Sequence, residues 1–424
     1  MRQAYSLYLH IPFCKHRCAY CDFNTYAGQE DSIPAYLDAL CKEIEFVSTH
    51  LPSPFRRGAG GEVGGEVAHT IFFGGGTPSL LSPQQFEKIL RAIRDQFELS
   101  DAEITVEANP GTVSYEALCQ MRALGINRIS FGAQSANSEE LHMLERAHNF
   151  FDVIEAVASA RKAGFDNLNL DLIYGLPEQT LQTWQTTVKR IFDLHPEHIS
   201  AYALTLEHGT PFGRWSSKGL LPIPDPDSAA EMYEWASEAF DGAGYQQYEI
   251  SNWARLKDES GIMNSENLHP SYACRHNLQY WRGLPYLAFG AGGHGYANGY
   301  RYSNVIRIKT FIERLSHPSS FILQPFPLSP ATVNHHKQTA ADDIGEFMMT
   351  GLRLTREGVS SMAFYQRFGR ELFEVYPKEI DELIRFGLLE WKKEMSKTLG
   401  ASDILRLTTR GRLLGNQVFL RFVD

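Results

Sequence analysis

From Ser6 to Leu204, short apolar runs alternate with stretches whose apolar residues recur every three or four positions. The runs Ser6–Phe13, His69–Phe73, Glu103–Glu107, Arg128–Phe131, Asn167–Tyr174 and His198–Leu204 predict strands. The intervening periodicity predicts helices from near Pro34, from Ser82, over Tyr115–Leu124, from Asn137 to Ala163, and up to Leu194. Ser82, with Pro83 at the first helical position and Gln85 three residues on, reads as a capping box. Strands that alternate with helices favour a parallel sheet with right-handed crossovers, and six such units predict an α/β fold curled into a partial (β/α)6 barrel. A plain doubly wound sheet is the alternative architecture.

After the sixth strand the pattern changes. Pro211–Asp227 is rich in Pro, Gly and Ser and reads as a connector, followed by a helix over Ser228–Phe240 and the segment Tyr248–Trp253. Lys257–Ser271 looks like an added polar loop, and Pro52–Val67, with its tandem Gly-Gly-Glu-Val, like a surface insertion. From about Thr339 a new pattern starts, in which Leu383–Trp391 and Leu405–Gly411 predict a helix, a hairpin and a closing helix, a winged-helix-like α+β arrangement. The expected domains are therefore residues 1–210, 211–335 and 336–424.

A length of 424 residues exceeds one hydrophobic core. With 43% hydrophobic and 21% charged residues the composition is that of a globular chain. No leader-like segment opens it and no apolar run reaches the roughly 18 residues of a membrane span, so a cytoplasmic location is expected, with peripheral membrane contact still compatible. A net charge of −10 argues against nucleic acid as a partner, because phosphate neutralisation needs a basic surface. The late basic residues Lys392, Lys393, Lys397, Arg406, Arg410 and Arg412 are read with a lid over the barrel mouth rather than with a nucleic-acid face.

The candidate chemistry begins where the first strand ends, at Cys14-Lys-His-Arg-Cys18-Ala-Tyr20-Cys21. Three thiolates at this spacing suit a cubane iron–sulfur cluster whose fourth iron stays open. A zinc site completed by His10, His16 or a distant residue is the competing reading. Cys41 and Cys119 fall on apolar helical faces and are expected in the core; Cys274 is open between a buried thiol and a second site. In parallel barrels ligands collect at the carboxyl ends of the strands. There stand Gly74-Gly75-Gly76-Thr77-Pro78, Glu107, Gln134 and Asp171, with Arg146 in the helix after Gln134, which together describe a polar pocket facing the cysteines.

The cysteine spacing, with Tyr8-Leu-His-Ile-Pro-Phe-Cys14 and Cys18-Ala-Tyr-Cys21-Asp-Phe23, resembles the radical S-adenosylmethionine family, in the branch that holds oxygen-independent coproporphyrinogen III oxidase and the HemW-type haem chaperones. The resemblance runs nearly end to end. It implies a [4Fe-4S] cluster on Cys14, Cys18 and Cys21, and S-adenosylmethionine held by Tyr8, Tyr20, Gly75, Gly76, Thr77, Glu107, Gln134, Arg146, Asp171 and Ala203. It also implies one-electron cleavage of the sulfonium, supplied by a donor such as a flavodoxin or ferredoxin. Arg275-His276-Asn277-Leu-Gln-Tyr280-Trp281 resembles the His-Asn-x-x-Tyr-Trp motif of the chaperones and implies haem contact by His276, Tyr280 and Trp281, with His294 in Gly290-Ala-Gly-Gly-His294-Gly a second candidate. Two functions follow. One is binding of haem and its transfer to an acceptor protein; the other is oxidative decarboxylation of coproporphyrinogen. The oxidase carries a further cysteine where this chain has Phe23, and a longer segment ahead of the motif than the thirteen residues before Cys14 here. Both differences favour the chaperone, with no catalytic residue assigned. A radical enzyme acting on another substrate is a third reading, because a fold does not fix a substrate.

Overall fold

Five parallel strands carry the first part of the chain: β1 (Ala4–Ile11), β2 (Val67–Gly75), β3 (Glu103–Ala108), β4 (Arg128–Gln134) and β5 (Leu168–Tyr174). They lie in the order β5-β4-β3-β2-β1. The computed structural model describes residues 4–51, 56–57, 63–64, 66–99, 101–257, 269–317, 324–396 and 400–423. Most of the expected insertion Pro52–Val67, the 258–268 stretch of the expected polar loop, and Lys397 lie outside the described residues. Register places Leu9, Phe73, Val106, Ile129 and Leu168 in one row, all fully buried, as strands covered on both faces require. The helices between the strands are α1 (Ile33–Thr49), α2 (Pro83–Arg94), α3 (Tyr115–Ala123), α4 (Ser138–Met143), α5 (Phe150–Lys162) and α6 (Leu181–Phe192). The capping box of α2 is formed: the Gln85 amide donates to Ser82 Oγ and the Ser82 amide to Gln85 Oε1.

The chain divides into two units, the first drawn from Met1–Pro196, Tyr202–Ala229 and Pro285–Lys337. The sixth expected strand, β6 (His198–Ala203), is present, and only its last residues belong to this unit. Just past them the Leu204 amide donates to the Tyr174 carbonyl at 2.9 Å. Four further strands extend the same sheet from the other side of β1: β7 (Tyr286–Phe289), parallel to β1, then β8 (His294–Ala297), β9 (Tyr300–Asn304) and β10 (Thr332–Lys337), each antiparallel to the one before. β1 is thus an interior strand. The connector expected at Pro211–Asp227 is helical at its start, over Pro211–Ser217. Thr210 Oγ1 caps it by accepting from the Gly213 amide at 3.0 Å, and Pro211 takes the first helical position, where its missing N–H costs nothing.

The second unit takes Glu197–Ala201, Ala230–Leu284 and Gln338–Asp424. Its strands Tyr245–Glu249 and Asn252–Arg255 pair antiparallel, and His198–Ser200 pairs with Asn252–Ala254. Its C-terminal part has a helix over Ala340–Gly351 and a three-stranded sheet in which Leu389–Ser396 and Gly400–Leu407 form the expected hairpin, followed by the closing helices Thr409–Leu413 and Gly415–Phe419. Met348, Leu352, Phe364, Leu389 and Leu405 form its core. Cys41 and Cys119, expected in the core, are only half-buried, whereas Cys274 is fully buried.

One buried acid ties the first unit together. Glu43 of α1 accepts from the Gly290 amide, Asn304 Nδ2 and Ser329 Oγ, each at 2.7 Å. Burial pushes its carboxyl up to about 7 against the pull of these donors. Removing the acceptor strands three buried donors, each costing about 1–3 kcal/mol. Glu43→Ala is expected to lower the stability by at least about 2 kcal/mol, read as a lower denaturant midpoint at unchanged slope.

Candidate functional site

The site is built on backbone approach. Past β1, Phe13–Cys14 pairs parallel with Tyr26–Ala27, which closes the cysteine segment into a loop. The glycine turn at the end of β2 docks on the same stretch: the Gly76 amide donates to the Ile11 carbonyl at 2.9 Å and the Thr77 amide to the Phe13 carbonyl at 2.7 Å. A Cβ at Gly76 would sit 2.6 Å from the Phe13 carbonyl oxygen and 2.8 Å from that of Ile11, so only glycine fits. Gly75 has φ +110°, and a Cβ there would strike the His10 ring. The loop is held at its far end as well, where Asn24 Nδ2 donates to the carbonyls of Ala291 and Ile306.

A cavity of about 520 Å³ opens here, lined by Cys14, Cys18, Cys21, Tyr20, Gly75, Gly76, Thr77, Glu107, Gln134, Arg146, Asp171 and Ala203. Of the residues expected around it, Tyr8, Gly74 and Pro78 are not in the lining. The Tyr8 ring stacks on Phe72, and its hydroxyl bonds His10 Nδ1 at 3.1 Å. The exposed Phe23 also borders the cavity. His10 and His16, the residues considered for a zinc site, have other partners: His10 Nε2 lies 2.9 Å from the Asn24 carbonyl, and His16 Nε2 3.6 Å from Glu145 Oε2.

All three sulfurs have hydrogen-bond partners. Thr77 Oγ1 donates to Cys14 Sγ at 3.5 Å and Arg146 Nη1 to Cys18 Sγ at 3.4 Å; the Thr25 hydroxyl lies 4.0 Å from Cys21 Sγ. Burial pushes the thiols of Cys14 and Cys21 up; the Thr77 hydroxyl pulls Cys14 the other way, and the Phe23 main chain and Thr25 hydroxyl pull Cys21. Donors aimed at sulfur are what a ligating thiolate needs to hold and tune a cluster. Among the described residues no three His, Cys, Asp or Glu side chains converge on one metal ion, whereas a cubane takes its three thiolates at three different irons.

Two of the carboxylates that line the same cavity are Glu107 and Asp171. Glu107 Oε2 accepts from the Gly75 amide at 3.1 Å, and its carboxyl is pushed up to about 8, first by burial and then by Asp171. Asp171 accepts from Ser130 Oγ and Asn169 Nδ2, both at 2.8 Å. Asn109, absent from the expected site, joins Arg146 to Thr77: its Oδ1 accepts from Arg146 Nη2, and its Nδ2 donates to Thr77 Oγ1 at 3.0 Å. Its signal was its place at the end of β3, two residues after Glu107 and before Pro110. Gln134 has φ +65°, a strained conformation for a side chain at this rim. The cavity offers both soft sulfur ligands and acceptors suited to an ammonium or ribose group.

The other expected residues lie elsewhere. In the second unit, His276 is 1% exposed and its Nε2 is bonded to the Tyr280 hydroxyl at 2.8 Å. The Arg353 guanidinium sits 4.2 Å from the Trp281 ring centroid. His294 is exposed on β8 in the first unit.

The chain matches the Radical SAM superfamily over residues 8–191 and the HemN C-terminal domain over 338–414. Fold and site together define a radical S-adenosylmethionine protein. It is 36% identical over 422 residues to the heme chaperone HemW of Bacillus subtilis, covering 99% of both chains, and 32% identical over 424 residues to that of Escherichia coli, covering 99% and 98%. The mitochondrial radical S-adenosyl methionine domain-containing protein 1 of Bos taurus is 33% identical over 401 residues, or 91% of this chain and 82% of that one. Among solved structures, coproporphyrinogen III oxidase (HemN) of Escherichia coli shares the fold, with a TM-score of 0.78 at 23% identity over 99% of this chain and 90% of that one. The chain belongs to the HemW family.

The tight docking of the glycine turn is directly testable. Gly76→Ala is expected to cost about 1–3 kcal/mol, as overpacking does, and to lower the thermal midpoint. An unchanged midpoint would mean that the turn has room the distances deny.

Proposed function

We propose that this protein is a haem chaperone of the cytoplasm, which binds haem and passes it to an acceptor protein while carrying a [4Fe-4S] cluster and S-adenosylmethionine. The observation that carries this reading is identity above 30% along essentially the whole chain with proteins named as heme chaperones. Among the described residues no helix is long and apolar enough to cross a membrane. Cys14, Cys18 and Cys21 hold the cluster, and the donors from Thr77 and Arg146 support thiolates there. When bound, cluster and S-adenosylmethionine supply one-electron chemistry at a sulfonium, fed by a flavodoxin or ferredoxin. The chain's own residues do the rest. The bare backbone of Gly75 and Gly76 admits the methionyl end, Glu107 and Asp171 accept from its ammonium and the ribose, and Arg146, braced by Asn109 and the Gly132 carbonyl, supplies the positive charge beside the carboxylate. Tyr20, Thr77, Gln134 and Ala203 complete the walls, with Tyr8 behind the glycine turn.

The competing reading is the coproporphyrinogen oxidase. The fold shared with HemN does not favour it, since one fold hosts several activities, and Phe23 stands where the oxidase has a further cysteine. Haem titration of the anaerobically reconstituted protein decides between them. Saturable haem binding without conversion of coproporphyrinogen III is expected, and decarboxylation under reducing conditions with S-adenosylmethionine would overturn the chaperone. His276 Nε2 is held by the Tyr280 hydroxyl, so His276→Ala is expected to leave the haem band unchanged.

Glu107 gives the cofactor site a pH signature. Its carboxyl, raised from 4.5 to about 8, keeps its proton below that value, and the ionised form that pairs with an ammonium is gained as pH rises through it. Affinity for S-adenosylmethionine is therefore expected to rise by up to about tenfold per pH unit between pH 6 and 8 and then to level. Glu107→Gln should flatten this rise. The ligand's own amine titrates equally in both proteins, so calorimetric profiles of the pair isolate Glu107.

A further inference from the structure

The His-Asn-x-x-Tyr-Trp motif puts its imidazole in the interior, bonded to a neighbour, whereas the first unit carries open imidazoles on a sheet face. Along β8, β9 and β10 runs a groove of about 520 Å³, lined in part by His294, Arg301, Asn334, His335 and His336. The strand register orders it. Tyr286 of β7 is opposite Tyr296 of β8, Tyr296 opposite Arg301 of β9, and Arg301 opposite His336 of β10. Directly opposed residues share a face, so these four form one row across four strands. Two residues along, His294, Ser303 and Asn334 form the next row on the same face. His335 alternates to the other face, opposite Tyr302, and its ring packs against Tyr300.

The row has the chemistry of a porphyrin seat. The Arg301 guanidinium lies 4.6 Å from the Tyr296 ring centroid, and its Nη1 donates to the Tyr286 hydroxyl at 2.6 Å. The two rings, tilted 55° to each other, thus hold a fixed positive charge beside the exposed imidazoles, suited to the carboxylate arms of a macrocycle. His294 and His336 are exposed, and among the described residues no hydrogen bond or ion pair engages either ring. A bare metal ion fits less well, because no three ligating side chains converge among the described residues. Haem needs one imidazole from the protein.

We propose that the face built from β7, β8, β9 and β10 is the haem seat, with the single axial imidazole supplied by His336 or His294 and the propionates held at Arg301. This rests on the haem-chaperone reading above. Two imidazoles that rise from the same face of a sheet cannot take opposite axial positions of one macrocycle. A haem seated here keeps its second axial position open on the outward side, where an acceptor's ligand can take hold of the iron before the chaperone lets go. That geometry suits transfer rather than storage.

The test is haem titration of the full, cluster-loaded chain as wild type, His294→Ala, His336→Ala, the double variant and His276→Ala, read by absorption and by electron paramagnetic resonance of the ferric haem. The wild type is expected to give a high-spin signal, as one imidazole and an open or water-filled position require. The double variant is expected to bind roughly tenfold or more weakly and to lose the imidazole signature, with the cluster content and thermal midpoint unchanged. His276→Ala is expected to keep the wild-type spectrum. A double variant that keeps wild-type affinity and spectrum overturns the seat, as does a low-spin bis-imidazole signal in the wild type. Wild-type protein that binds no haem at all overturns the chaperone reading itself.

Discussion

The site depends on one main-chain contact, the docking of the glycine turn after β2 on the carbonyls of Ile11 and Phe13 at the end of β1. It excludes any side chain at position 76. It also fixes the start of the cysteine loop relative to the strand ends that bear Glu107 and Asp171. A parallel sheet alone would align those strand ends, but it says nothing of a loop that leaves one of them. The two amide–carbonyl bonds, and the short pairing of Phe13–Cys14 with Tyr26–Ala27, supply what the sheet does not.

The walls of the cavity are then set by charge. Arg146 is half-buried, and its charge is compensated by the Cys18 sulfur, Asn109 and the Gly132 carbonyl. The half-buried Glu107 is raised to about 8 by its surroundings, because desolvation and Asp171 outweigh the Gly75 amide and Arg128. Burying a carboxyl without a full complement of donors is costly, and such groups concentrate where a ligand will later supply the missing partner. Two of the sulfurs are thus linked by a hydrogen-bonded bridge, Arg146–Asn109–Thr77, which donates to Cys18 at one end and to Cys14 at the other.

How much of this was legible follows from what each signal encodes. The five parallel strands and their helices were readable because strands buried on both faces are continuous apolar runs and their helices carry a strong 3.6-residue period. The cavity was readable because its residues follow strand ends, one after another. Four strands after Pro285 were not. Tyr286–Phe289 is four residues long and set among glycines, and β10 is a polar exposed edge, so neither has a period to detect. The helix at Pro211 was hidden because Pro, Gly and Ser suggested a linker, while the cap Thr210 lay one residue outside the segment considered. Cys41 and Cys119 showed the reverse error: a helical face marks a side, and the depth along it is decided by packing the sequence does not display. His276 sits in a motif of aromatics, and no spacing rule says that Tyr280, one turn on, takes its Nε2.

The added strands bear on the cavity through contacts that only the folded chain reveals. The cysteine loop does not end in solvent. Asn24 bonds the carbonyls of Ala291, between β7 and β8, and Ile306, just past β9, while the Tyr26 hydroxyl donates to Ile306 as well. A Cβ at Gly292 would overlap the Asn24 side chain, so the loop between β7 and β8 is moulded to it. Glu43 fixes the same region from α1, through Gly290 and Asn304. The loop that carries the three sulfurs and the strands that carry the open histidines are therefore one hydrogen-bonded body. Coupling between two sites needs an element with two arrangements that both sites bias, and contiguity alone does not provide it. What contiguity does provide is a mechanical condition: a change in the cysteine loop that moves Asn24 must either break two bonds to the β7–β9 loops or carry those loops with it. Residues 24, 291 and 306 are where the two chemistries of this unit meet.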